Sequence, residues 1–216
     1  RHVDAAEWLR SLPADRSEDR SDLLAHHYRE ALALADAAGV DTSALREPAK
    51  GALAAAAERA LALNAWQSTV ELAREALALT DDGDELRPVL QLRIAQAGFF
   101  TDELDYDLAL EARDAFVARG DVELAAESEI LLTQLTFSLG LHGLVHARNA
   151  VALLEGRPPS ELYARALARL ARRLTLAGER PTAIELARQA LALAEKFDDD
   201  RTASDALNTL GMARCL

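Results

Sequence analysis

The sequence predicts an all-α fold, a right-handed α-α superhelix (solenoid) of antiparallel helix hairpins, and three observations support this prediction. Half of the 216 residues are apolar but only 5% are aromatic, so the core must consist mainly of Ala and Leu, which favour helices. No segment shows the sustained polar–apolar alternation of a half-buried strand. Gly, Pro and Asp recur at intervals that suit short turns between helices.

The N-terminal part of the chain is predicted to form two helices. The first covers about 3–12 and ends at Pro13, because proline cannot continue a helix. Ser17 or Asp19 is expected to cap the second helix. This helix runs to Gly39, since glycine commonly ends helices in the left-handed conformation.

The rest of the chain is predicted as a series of further helices. One begins after 41–43 and runs to 64, and Pro48 is expected near a first turn, where its missing N–H group costs little. A turn is expected at 81–84. The other predicted helices are 65–80, 85–101, 104–119, 121–139, 142–155, 159–177, 180–197 and 200–216.

Small side chains recur on the second helix of each predicted hairpin, at offsets of four and three residues. Such offsets place side chains on one stripe of a helix, where a neighbouring helix can approach closely. A hairpin of this kind cannot bury its apolar side alone, so we expect the hairpins to stack. The predicted stripes are Thr69, Ala73, Ala76; Leu108, Ala112, Ala115; Gly143, Ala147, Ala150; and Ala183, Ala187, Ala190.

These hairpins resemble the tetratricopeptide repeat, whose period is about 34 residues. The copy from Ala164 to Glu195 is close to the pattern, whereas the other copies lack the expected aromatic residue and the usual terminal Pro. The resemblance implies about four complete hairpins and a partial one at the C-terminus. We expect one continuous domain, in which a helical N-terminal segment (1–46) packs on a repeat array (47–216) whose last repeat is truncated.

Two short segments, 2–9 and 22–28, carry a second resemblance. They look like the region after the ATPase module in large multidomain actinobacterial regulators. These include adenylate/guanylate cyclases fused to an ATPase module and helical repeats, and ATP-binding LuxR-type transcription regulators. The resemblance implies that the repeats sense or relay a signal to a module elsewhere. Because the chain begins without Met and ends inside a helical pattern, we expect it to be a piece of such a protein.

The charge balance disfavours some classes of partner. The net charge is −12, which argues against direct nucleic-acid binding and against docking on anionic lipid. The uncharged run 130–147 nearly reaches membrane-spanning length, but its Gln, His and Gly residues favour a buried helix that runs into a turn. A single cysteine, Cys215, allows no intrachain disulfide, and we expect a reducing, cytoplasmic location.

The sequence contains none of the common motifs for nucleotide binding or acyl-transfer catalysis, so we expect no enzymatic activity and no cofactor in these residues. His26 and His27 point apart on a helix, so a structural role is expected. His142 and His146 are four residues apart, as two metal ligands can be, but no acidic residue or Cys nearby in sequence completes a site. No metal site is therefore expected.

Acidic clusters precede several predicted helices. Asp102 and Glu103 form one such pair, and the run 198–200 forms another cluster. Negative charge before a helix favours the helix macrodipole, so we expect solvated turns at both places. Cys215 has no visible activating partner, and we expect no special reactivity there.

The inner wall of the superhelix is the expected functional surface, because the first helix of each tetratricopeptide hairpin lines the groove. Arginines on this wall offer bidentate contacts to carboxylates of an acidic peptide. The alternative is that Arg165 and Arg172 pair with Glu residues on neighbouring helices. The residues that the register projects inward are Glu58, Arg93, Phe100, Ser128, Leu135, Arg165, Arg172 and Asn208.

Two binding functions remain open from the sequence, and a purely structural spacer, whose sign would be a featureless groove, is a further alternative. The first is an interaction scaffold for a protein, a peptide or another domain of the same chain, serving as the regulatory region of a larger signalling or transcription-regulatory protein. The second is a helical domain that senses a small-molecule effector, held near Phe99, Phe100, Phe137 and Arg93. The exposed ends of a repeat array also offer a route to a homodimer.

Overall fold

Eleven α-helices and no strands make up the part of the chain that the computed structural model describes, residues 1–12 and 20–215. The all-α prediction is therefore confirmed. Pro13, Ser17 and Asp19, which carry the predicted boundary between the first two helices, lie outside the described residues. The helices are α1 His2–Ser11, α2 Ser21–Ala37, α3 Ser43–Ala62, α4 Trp66–Leu77, α5 Leu86–Gly98, α6 Tyr106–Arg119, α7 Val122–Ser138, α8 Leu144–Leu154, α9 Glu161–Leu176, α10 Arg180–Lys196 and α11 Asp200–Cys215.

Pro48 lies in the second turn of α3, so the prediction that it sits near a first turn is wrong. The helix begins at Ser43, whose backbone N–H donates to Asp41 at 2.9 Å and whose hydroxyl donates to it at 2.7 Å. Pro48 removes the N–H group that would bond to the Ala44 carbonyl. Packing of the following turns, where Leu53 is buried, keeps the segment helical despite this loss.

The chain divides into two compact units, Arg1–Asp105 and Tyr106–Leu216. In the first unit α1 to α5 pack each on the next, and α3 also contacts α5. In the second unit α6 to α11 pack each on the next, α7 also contacts α9, and α9 also contacts α11. Successive helices therefore form hairpins, and first helices of neighbouring hairpins lie against one another. The expected division at 46–47 falls inside α3 and stays a prediction.

Alanine and leucine dominate the buried core, as predicted, and most small-residue stripes are buried. All three members are buried in α4 and in α10, as are Ala147 and Ala150 in α8. In α6 the predicted register is wrong, because Ala109, Ala112 and Phe116 are buried while Leu108 and Ala115 are only partly so. Burying the whole Phe116 ring removes far more apolar area from water than burying an Ala methyl group, and this sets the rotation of the helix.

The turn between α7 and α8 depends on Gly143. This residue has φ 60°, and a Cβ there would lie 2.9 Å from the Thr133 carbonyl oxygen and closer still to the Thr136 hydroxyl. Glycine thus lets α8 begin directly against α7. Gly143 is the N-cap of α8, so its assignment to a helical stripe is corrected.

The uncharged run 130–147 forms the end of buried α7, this turn and the start of α8, as predicted. None of the described helices combines the length and the apolar character that a membrane span needs.

Candidate interaction surface

Three arginines of α9 form a stripe along one side of this helix. Arg165, Arg169 and Arg172 are four and three residues apart, which places them on one face, and all three are partly buried. The stripe is the side of α9 that is left out of the core. The buried positions of α9 are Ala164, Ala166, Leu167, Ala168, Leu170, Ala171, Arg173, Leu174 and Thr175.

Helix α11 lies beside this stripe and extends it. Arg169 Nη2 is 3.4 Å from Asp205 Oδ2. Asn208 follows Asp205 by about one turn and is exposed, as is Arg201 one turn before it. We use the name arginine face for these six residues, which are Arg165, Arg169 and Arg172 of α9 with Arg201, Asp205 and Asn208 of α11.

The arginine face carries four arginines and one aspartate, in a chain whose net charge is −12. Among the described residues, neither Arg165 nor Arg172 has a carboxylate within ion-pair distance, so pairing with neighbouring Glu residues does not occupy them. Burial lowers the pKa of Arg169, Asp205 opposes this, and the like charges of Arg201, Arg172 and Arg165 add to it. Asp205 and Asp199 interact electrostatically with this face, but two carboxylates offset only part of the charge of four arginines.

Arg173 follows the stripe by one residue and turns into the protein. Only 5% of its surface is exposed, and its guanidinium carbon lies 4.2 Å from the centroid of the Phe137 ring. Its Nε and Nη1 atoms are buried without a hydrogen-bond partner. Burial lowers the pKa of Arg173 to about 10, and the charges of Arg172 and Arg169 contribute to this. The group is therefore still a cation at neutral pH.

A pocket of about 720 Å³ lies against Arg173, between the ends of α7 and α9 and the start of α8. Its walls are mainly apolar, and Phe137, Leu141 and Leu176 are each about half exposed. Pockets of this size and character suit small ligands or a few side chains of a peptide. The lining residues are Phe137, Gly140, Leu141, His142, Leu144, Arg173, Leu176 and Ala177.

The predicted groove residues of the second unit fall into two groups. Arg165, Arg172 and Asn208 lie on the arginine face. Ser128 and Leu135 of α7 are fully buried, and the Ser128 hydroxyl donates to a backbone carbonyl of its own helix at 2.8 Å. The prediction that these two residues line the groove is wrong. Helix α7 packs against α6, α8 and α9, so little of its surface is exposed.

The predicted groove residues of the first unit contact their neighbours. Arg93 Nε donates to Glu58 Oε1 at 2.7 Å, and Arg93 Nη1 donates to Gln96 at 3.0 Å. Phe100 stacks on Trp66, with ring centroids 4.2 Å apart and an interplanar angle of 15°. Glu58 and Phe100 are nevertheless exposed at their outer edges.

The effector position expected near Phe99, Phe100, Phe137 and Arg93 draws on residues of both units. Of these, Phe137 lines the pocket beside Arg173. Phe99 and Phe100 contact each other edge to face, and Arg93 is held by Glu58. Phe137 is thus the one residue of this set that lines the pocket, and the cation in the pocket wall is Arg173 instead of Arg93.

A buried polar network in the second unit escapes sequence analysis. His146 Nδ1 lies 2.7 Å from Glu129 Oε2, and His146 Nε2 lies 3.1 Å from the Tyr106 hydroxyl. Arg113 and Asn149 donate to Glu129 Oε1 at 2.6 and 3.2 Å. His146 has an acidic partner after all, but one that only the packing of α7 on α8 brings close.

Hydrogen bonds keep the Glu129 carboxylate charged in this network. Burial would raise the pKa of Glu129, but the bonds from His146 and Arg113 outweigh burial and hold the pKa below its ordinary value. Burial also opposes the charge of Arg113, yet Glu129 and Asp114 raise the pKa of this guanidinium. The network links α6, α7 and α8, which is a structural role.

The adjacent histidines near the N-terminus meet a third one. His2 Nδ1 and His27 Nδ1 are 3.2 Å apart, and the His26 ring centroid lies 6.4 Å from that of His2 on α1. Across residues 1–12 and 20–215, no group of three or more His, Cys, Asp or Glu is arranged to hold a metal ion. These contacts join α1 to α2.

The acidic clusters form turns and caps. Asp199 Oδ1 accepts the Thr202 backbone N–H at 3.0 Å at the start of α11, and Glu103 forms an exposed ion pair with Arg74 at 2.7 Å. Asp102 adopts φ 59° in the turn before α6. Cys215 is an exposed free thiol.

No protein-family model matches this chain. No curated protein matches it either. Its structure is similar to that of a Rap protein complexed with competence and sporulation factor, with a TM-score of 0.63 and 16% sequence identity. The match covers 91% of this chain and 58% of the Rap chain, so this chain spans little more than half of that protein. The likeness shows the fold, a tetratricopeptide-like α-solenoid.

Proposed function

We propose that this chain is an interaction scaffold whose arginine face binds an acidic segment of a protein, of a peptide or of another domain of the same polypeptide. One observation carries the proposal. Arg165 and Arg172 are partly buried and have no ion-pair partner among the described residues, although the chain contains 36 Asp and Glu. Guanidinium groups bind carboxylates bidentately, so an acidic ligand supplies what this face lacks.

The overall charge adds selectivity to this proposal. A chain of net charge −12 repels acidic molecules from most of its surface. An acidic segment therefore binds where positive charge is concentrated, on α9 and α11. The same net negative charge disfavours binding to nucleic acids, because it repels their phosphate backbone.

The fold comparison supports a scaffold role for the wider protein. The similar Rap protein is complexed with competence and sporulation factor, and a binding function fits a solenoid of this kind. In a longer cytoplasmic protein, this scaffold would regulate an attached signalling or transcription module, and its array ends would allow a homodimer. The chain itself would do no chemistry.

The test measures binding of a fluorescein-labelled peptide of alternating Glu and Ala by fluorescence anisotropy, with a Gln-Ala peptide as the neutral control. We expect the acidic peptide alone to bind. Arg172→Glu should weaken its binding at least about tenfold, which corresponds to the loss of one charged hydrogen-bonded contact.

The matched control is Arg188→Glu, which makes the same charge change at an exposed position of α10. It should bind the acidic peptide nearly as well as the unaltered chain. Equal weakening by both variants would mean that net charge alone governs binding, and the proposal would fall.

A second function, the sensing of a small-molecule effector, is favoured by the pocket beside Arg173. Its volume of about 720 Å³ exceeds what one side chain fills, and it combines apolar walls with one buried cation. Binding of an apolar carboxylic acid by a chain that fails to bind the acidic peptide would support this function over the first.

A further inference from the structure

We infer that the pocket beside Arg173 anchors an apolar side chain of the acidic ligand, with a neighbouring ligand carboxylate on the Arg173 guanidinium. The inference rests on the proposed function, because the ligand is the segment bound by the arginine face. It adds a requirement that the face alone does not impose. The ligand must carry an apolar group beside a carboxylate.

The state of Arg173 is the first argument for this site. A cation that is 95% buried needs hydrogen-bond or ion-pair partners to offset its lost hydration. Two of its nitrogens have none, and contact with the Phe137 ring replaces only part of the missing interaction. A ligand carboxylate in the pocket gives this cation the countercharge that the described chain does not provide.

The apolar walls are the second argument. Phe137, Leu141 and Leu176 are 48, 58 and 49% exposed, and all three line the same pocket. Apolar side chains gathered around a concave surface commonly mark a binding site. An apolar ligand group would cover them, while its carboxylate reaches Arg173.

The helix ends around the pocket give a third argument. Helix α8 begins at the pocket with Leu144 and has no side-chain cap at its N-terminus, so its positive end favours an anion nearby. The negative end of α9 opposes an anion, but Arg173 lies in the last turn of that helix and offsets it.

The position of the pocket relative to the stripe favours a peptide over a free small acid. Arg173 is adjacent to Arg172, and the charges of Arg172 and Arg169 act on it. Adjacent residues of a helix point about 100° apart, so a ligand that enters the pocket would have to turn partly around α9 to reach Arg172 and the rest of the stripe. An extended acidic segment fits this arrangement, with its apolar residue at the Arg173 end.

The rival explanation is that Arg173 only stabilises the fold, through the Phe137 ring and the end of α9. Arg173→Met separates the two explanations, because methionine fills similar space without a charge. If Arg173 serves a ligand, the variant keeps or raises the unfolding temperature, since a buried unpaired charge is replaced by an apolar group. A lower unfolding temperature would assign Arg173 to the fold and overturn the inference.

The binding test titrates the full chain with N-acetyl-phenylalanine. Saturation-transfer NMR detects the binding, and the titration gives its dissociation constant. Its amide and plain acetate are the controls, since each lacks one of the two required groups. We expect N-acetyl-phenylalanine to bind at least about tenfold more tightly than either control. Arg173→Met should remove this preference, whereas Arg188→Met, at an exposed site on α10, should keep it. Equal binding of acid and amide, or full binding by Arg173→Met, would overturn the inference.

A second arm identifies the source of the apolar group. The labelled Glu-Ala peptide is extended by a C-terminal Phe or, as the control, by a C-terminal Ser. We expect the Phe peptide to bind about tenfold more tightly, and we expect Arg173→Met to abolish this gain.

The outcomes of this arm separate the two proposals. Absence of the gain overturns the peptide anchor and leaves the arginine-face function intact. If neither peptide binds, the proposed scaffold function fails, and binding of N-acetyl-phenylalanine that depends on Arg173 then assigns the pocket to a small apolar acid instead.

Discussion

His146 Nδ1 lies 2.7 Å from Glu129 Oε2, and both side chains are buried between α7 and α8. Glu129 also accepts hydrogen bonds from Arg113 and Asn149. One buried carboxylate thus joins three helices of the second unit. We therefore expect the hydrogen bonds and ion pairs of this carboxylate to stabilise the folded unit, because removing the charge weakens the contact with each donor.

Glu129→Gln should destabilise the protein by about 3 kcal/mol, since it removes the buried carboxylate from the network and leaves Asp114 as the ion-pair partner of the half-buried Arg113. Urea unfolding followed by circular dichroism measures this loss. Glu123→Gln is the matched control on the same helix, at an exposed position, and should change stability by less than about 0.5 kcal/mol. Similar losses in both variants would contradict a structural role for the network.

The same carboxylate should make the free energy of unfolding depend on pH in the acid range. The folded-state pKa of Glu129 lies below its ordinary value of 4.5, so its contribution is complete above that value and is lost as the pH falls through the folded pKa. The stability difference between the unaltered protein and Glu129→Gln should therefore be constant near neutral pH and shrink below about pH 4.5. A difference that stays constant down to about pH 3 would contradict this account.

Gly143→Ala should destabilise the protein by about 2 kcal/mol or more, because alanine is strained at positive φ and its Cβ would press on Thr133. Thermal unfolding measures the change. Gly51→Ala is the control, within α3 and with open space around the new methyl group. Gly51→Ala should stabilise by about 0.5 to 1 kcal/mol, so effects of the same sign would contradict the argument.

Pro48→Ala should raise stability by about 1 kcal/mol or more, because it restores a backbone donor inside α3 and removes a helix breaker. Pro181 lies in the first turn of α10, where no such bond is lost, so Pro181→Ala should change stability little. Differential scanning calorimetry compares the two. A loss of stability in Pro48→Ala would mean that packing of the half-buried ring outweighs the backbone term.

Local spacing predicts most of this fold. Helix spans follow from the Ala and Leu pattern and the turn glycines, so all eight spans predicted after residue 64 agree with α4 to α11 to within about three residues. Pro48 departs from prediction because tertiary packing holds α3 together across it. The register of α6 departs because one large side chain, Phe116, decides which face is buried.

The candidate site is less predictable because it depends on which helices meet. The four-and-three spacing of Arg165, Arg169 and Arg172 is visible in the sequence, although the sequence register selects only two of them. The contact of Arg173 with Phe137 joins residues of different hairpins. Such contacts depend on how the hairpins stack, which local spacing does not encode.

The most direct test of the central claim maps where an acidic ligand binds. Backbone amide shifts of the isotope-labelled chain are recorded during titration with the peptide of alternating Glu and Ala. We predict that the largest shifts fall on α9 around Arg165 to Arg172 and on α11 around Arg201 to Asn208, and that Arg172→Glu reduces them. Shifts centred on α10 around Arg188, or spread evenly over the surface, would contradict the account.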